Sequence, residues 1–65
     1  MLDWLVDIRK TKNKTQEEVS INCGIARAYY SMIETGERTP SVGTAKKIAR
    51  ELGFDWAKFF EGKEV

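Results

Sequence analysis

Four basic side chains, Arg9, Lys10, Lys12 and Lys14, fall in the stretch RKTKNK, which contains no acid and stands directly before a helix start at Thr15. A helix amino terminus carries unpaired N–H groups and the positive end of the peptide dipole, so cations beside it favour an anion such as phosphate. A second set lies between Arg27 and Thr35. Tyr30 and Ile33 are three residues apart and share one helical face, which leaves Arg27, Ala28, Ser31 and Met32 on the other. That outward face combines a planar guanidinium, a hydroxyl and two apolar ends, a mixture suited to a surface patterned in donors, acceptors and methyl groups. Other chemistries lack their residues. With no histidine and one cysteine, the chain has neither an internal disulfide nor the usual zinc ligands. It offers no defensible nucleophile and base pair and no nucleotide-binding glycine loop, so we expect no enzyme activity and no cofactor. Cys23 reads as a small buried hydrophobe, with a redox-sensing thiol as the alternative.

Short helices must position these groups. Thr15 with Glu18 three residues later forms a capping box, which predicts a helix over about Gln16 to Cys23. Val19 and Cys23 line its inner face, and small Ser20 beside them lets a second backbone approach. Gly24 supplies the positive φ that ends this helix and turns the chain. The next helix is expected over about Arg27 to Thr35, stopped by Gly36. Before the pair, a helix from about Asp3 to Lys12 turns Leu5 and Ile8 inward, with Asp3 as its cap and Trp4 at an edge of the core. After it, Ser41 caps a helix in which Val42, Ala45, Ile48, Ala49 and Leu52 recur at three- and four-residue intervals up to Gly53. Asp55 caps a short fifth helix, about residues 55 to 61, carrying Trp56, Phe59 and Phe60 on one face. The tail EGKEV is expected to fray. The fold class is all-α, a compact five-helix bundle.

The segment TQEEVSINCGIARAYYSMIETGERTPS closely resembles the helix-turn-helix of lambda-repressor-like proteins, the Cro/repressor type or XRE family of bacterial and phage transcription regulators. The resemblance runs from about Leu5 to Phe60 and is carried by TQEEV, the CGI turn, the IETG close and RTPS in that order. It implies binding to double-stranded DNA, with the motif at about residues 16 to 35 and the second motif helix in the major groove. That groove is about 12 Å wide and shows a distinct pattern for each base pair. The expected base readers are Arg27, whose fork can grip a guanine or else a phosphate, with Ala28 and Met32 on thymine methyls and Ser31 on a base edge. Expected phosphate contacts are Lys14, Gln16 (by resemblance), Tyr29, Arg38 and Thr39, with Arg9 and Lys10 extending the set; Tyr30 belongs to the core. Glu34 reads as structural, pairing with a basic neighbour within the fold. Three positions depart from the family pattern. Ala26 stands where Ser or Thr is common, leaving the reading helix without a side-chain cap. Lys14 replaces an apolar residue, which implies looser packing of the first helix, and Glu37 makes the loop less basic.

A chain of 65 residues buries only about 60% of its unfolded surface on folding, so one domain over residues 1–65 is expected. The net charge of +1 does not speak to a nucleic acid partner, because distribution over the surface decides that. The start MLDWLVDIRK is unlike a signal peptide, and no stretch approaches the roughly 18 apolar residues of a membrane span, so a cytoplasmic location is expected. One copy reads few base pairs, which points to a homodimer that represses from a palindromic operator. Phe54, Trp56, Phe59 and Phe60 are the candidate dimer surface or else pack within the monomer. An alternative is an antitoxin or accessory regulator that also binds a protein partner through this aromatic end.

Overall fold

The computed structural model describes residues 1–61; the end of the tail expected to fray, 62–65, lies outside the described residues. Four α-helices follow in order, α1 (Asp3–Thr11), α2 (Gln16–Cys23), α3 (Arg27–Thr35) and α4 (Val42–Leu52), and a 3₁₀ turn over Trp56–Phe60 closes the chain. The all-α architecture is as expected, with one correction: the fifth element is 3₁₀ rather than α. It is five residues long, and its Asp55 cap accepts from Ala57 N at 3.0 Å. So short a segment gains little from α-helical hydrogen bonds, and the packing of its aromatic rings decides its winding.

Local signals set the middle boundaries. Thr15 Oγ1 accepts from Glu18 N at 3.1 Å while Glu18 Oε1 accepts from Thr15 N at 2.9 Å, closing the capping box. Gly24 ends α2 at φ 69°, a left-handed conformation that costs glycine nothing. Asn13 makes the turn before α2 at φ 57°, a value that asparagine tolerates better than most residues. The start of α1 differs from expectation. Leu2 holds the cap position without a side-chain bond, and Asp3 is the first helical residue. Leu2 N instead donates to Glu34 O at 2.7 Å, so contact with the end of α3 sets this boundary.

Leu5, Val19, Cys23, Tyr30, Ile33, Ala45, Ile48, Leu52 and Phe59 form the core. Val42, which opens the apolar series of α4, is half exposed instead, at 50%. Trp4 does cover an edge, meeting Phe54 and Phe59 edge to face with ring centroids 5.3 and 5.2 Å away. Cys23 is buried, and burial pushes its thiol up, away from the thiolate. No helix among the described residues is long and apolar enough to cross a membrane.

One charge is buried in this core. Glu34, 3% exposed, accepts from Arg9 Nε at 2.7 Å, Arg9 Nη2 at 3.3 Å and Gln16 Nε2 at 2.8 Å. Burial, the largest single influence, pushes this carboxyl up, but its donors, led by Arg9, together outweigh that and hold it below the ordinary range. The Tyr30 hydroxyl, also buried, has no hydrogen-bond partner among the described residues; burial, followed by the neighbouring Glu34, pushes it far up.

Thr15→Ala should cost about 1 kcal/mol in urea unfolding, because Glu18 N loses the Thr15 hydroxyl that accepts from it. Glu34→Ala should cost about 3 kcal/mol at neutral pH, since it strands the Arg9 guanidinium. A depressed folded pKa stabilises fully above the unfolded value, ordinarily 4.5, and that contribution fades as pH falls through the folded value. Glu34→Gln should therefore flatten the acid limb of a stability-versus-pH curve.

Candidate nucleic-acid interface

The first turn of α3 is the centre of the site. Its cap residue, Ala26, has an extended backbone and offers no side-chain acceptor, as its sequence position implied. Arg27 and Ala28 are exposed there, while Ser31, one turn on, is half-buried. Two shallow hollows flank this turn. One, of about 310 Å³, is lined by Gln16, Arg27, Ala28 and Ser31. The other, of about 460 Å³, is lined by Arg9, Thr15, Gln16, Glu17 and Arg27. Sharing Gln16 and Arg27, they make one furrow where the starts of α2 and α3 meet. Among the described residues no carboxylate pairs with Arg27. Its fork is open to donate two parallel hydrogen bonds, and uncapped N–H groups of α3 add positive potential beside it.

Other expected contacts lie elsewhere. Arg38 and Thr39 are exposed but line a separate small hollow, about 90 Å³, with Leu2, Gly36, Pro40 and Phe59. Tyr29 is half-buried and packs against the core, and Met32 is also half-buried, so less of either is presented than helical phase implied. The structure does not bring Lys14 to the furrow. Its Nζ lies 2.7 Å from Glu51 Oε2 on α4, and this carboxylate raises the Lys14 pKa through a hydrogen bond. Nor is the turn loose, because Arg9 Nη1 donates to Lys14 O at 2.9 Å. Arg9, expected among the outward cations, is drawn inward by Glu34.

The aromatic candidates divide as well. Phe59 is 7% exposed and belongs to the core, which corrects its place on the proposed dimer surface. Phe54, Trp56 and Phe60 are half-buried against it. Trp56 and Phe60 pair edge to face at 6.0 Å, and Lys46 Nζ lies 5.2 Å from the Trp56 ring centre. Sequence reasoning missed Glu51 and Asn22, which meet at 2.6 Å across two helices. A contact between residues 29 apart leaves no periodic or capping signal in the chain.

Two helices joined by a tight glycine turn, the second open along its outer face, define a helix-turn-helix DNA-binding protein. The family described as "Helix-turn-helix" matches residues 5–59, and the chain belongs to it, in the lambda-repressor-like or XRE type. It is 56% identical over 61 residues to YqaF of Bacillus subtilis, an uncharacterized HTH-type transcriptional regulator, covering 94% of this chain and 80% of the relative. It is 41% identical over 46 residues to y4dJ of Sinorhizobium fredii, described in the same words, covering 71% of this chain and 60% of that relative. No solved structure matches the chain. The protein is a DNA-binding transcriptional regulator.

Arg27 provides the direct check on the furrow. Arg27→Ala should lose about 1 to 3 kcal/mol of discrimination at one base pair of a selected site, read from competition binding against single-base variants. Equal losses on every duplex would make Arg27 a phosphate contact instead.

Proposed function

We propose that the protein is a repressor that occupies a palindromic operator as a homodimer, each protomer laying α3 in the major groove. The observation that carries this reading is the open Arg27 fork at the uncapped start of α3, in a furrow shared with Gln16, Ala28 and Ser31. In this reading Arg27, Ala28 and Ser31 meet base edges, with Met32 at the border. Gln16, Arg38, Thr39 and the Tyr29 hydroxyl approach the backbone on either side. Residues 1–65 act as one DNA-binding domain in the cytoplasm, where occupation of the operator blocks polymerase.

A symmetric dimer would set two such helices about 34 to 36 Å apart, one turn of duplex. Trp56 and Phe60 support this assembly, because both keep part of their rings open at one end of the fold. Selection of bound duplexes from a random pool, followed by footprinting, tests specificity, half-site spacing and symmetry together. A preferred site without two-fold symmetry would overturn the homodimer. Trp56→Ala should weaken self-association in sedimentation; an unchanged profile would remove Trp56 from the interface.

A further inference from the structure

Six residues join all four α-helices through polar contacts. Asn22 Nδ2 on α2 and Lys14 Nζ in the turn before it both donate to the same oxygen of Glu51, at 2.6 and 2.7 Å. The Lys14 carbonyl accepts from Arg9 Nη1 on α1 at 2.9 Å. Arg9 also grips Glu34 on α3 at 2.7 Å, and Glu34 accepts from Gln16 Nε2 at 2.8 Å. The path therefore runs from Glu51 on α4 to a side chain that lines both hollows beside Arg27.

We propose that Glu51 is a positioning residue for DNA recognition: by fixing Lys14 and Asn22 it sets α2 against α4 and so places Gln16 beside the reading helix. Lys14 is part of this clamp and does not neutralise a phosphate. The inference rests on the reading of α3 as the DNA-facing helix. Two geometric facts carry it. Lys14 shares its acceptor oxygen with Asn22, in the last turn of α2, so its side chain is directed away from the furrow at the start of that helix. The clamp also holds α2 at both ends: Asn22 fixes one, and the Arg9 bond to the Lys14 carbonyl fixes the turn that leads into the other.

The test uses the full chain and the duplex obtained by selection, at a temperature where circular dichroism shows each variant folded. Glu51→Gln keeps the size of the side chain but removes its charge. Its ratio of operator affinity to random-duplex affinity should fall roughly two- to thirtyfold. Random-duplex binding and its salt dependence should stay as in the wild type. The charge-swapped pair Lys14→Glu with Glu51→Lys should recover most of the ratio. Lys14→Met should leave the slope of log affinity against log salt unchanged. A slope shallower by about 0.9, the value of one phosphate contact, would show that Lys14 touches DNA and would overturn the proposal. So would an unchanged affinity ratio in folded Glu51→Gln, or a charge swap that fails to recover it. A wild-type chain that prefers no duplex would instead overturn the reading of α3, and the proposal with it.

Discussion

A carboxylate taken out of water must be matched by donors or it destabilises the fold, and Glu34 is such a carboxylate near the end of α3. Its charge is matched by a guanidinium from α1 and an amide from α2, so satisfying one buried group brings three helices to fixed relative positions. Apolar contacts alone tolerate sliding by a fraction of a side chain. Directed bonds to a shared carboxylate do not, and they add orientation to a core that hydrophobic burial holds together. The helix-turn-helix unit depends on that orientation, because its outer face works only at a defined angle to the scaffold.

The same constraint explains a division among the cations. The run before α2 reads as one positive cluster, yet the structure separates its members. Arg9 and Lys14 turn inward to carboxylates on α3 and α4, while Lys10 and Lys12 remain exposed. Net charge and local density carry no information on that division, since it depends on which acids the fold brings near. Arg27 is different because no acid among the described residues reaches it.

Legibility in the chain followed the range of the interaction. The bounds of α2 and α4 and the end of α3 are readable because a capping box, a cap serine and terminal glycines act within four residues. Helical phase assigns Tyr30 and Ile33 to the core, and both are fully buried. Where the outcome depended on distant partners, local reading failed. The start of α1 is set by a bond from Leu2 to Glu34, and Lys14 meets a partner 37 residues away. In the terminal turn, aromatic packing overrode helical propensity. In the candidate site, Arg27, Ala28, Ser31 and Gln16 line one hollow, and Arg38 and Thr39 line another.

Ala26 leaves the amino end of α3 without an acceptor of its own. A serine or threonine there would satisfy one of those amides in the isolated protein, a gain of about 1 kcal/mol. The first-turn amides of α3 are therefore left to water in the isolated protein, and on the proposed reading of α3 as the DNA-facing helix a phosphate oxygen there would complete their hydrogen bonding. On that reading, part of the favourable enthalpy of docking would come from the protein's own backbone amides.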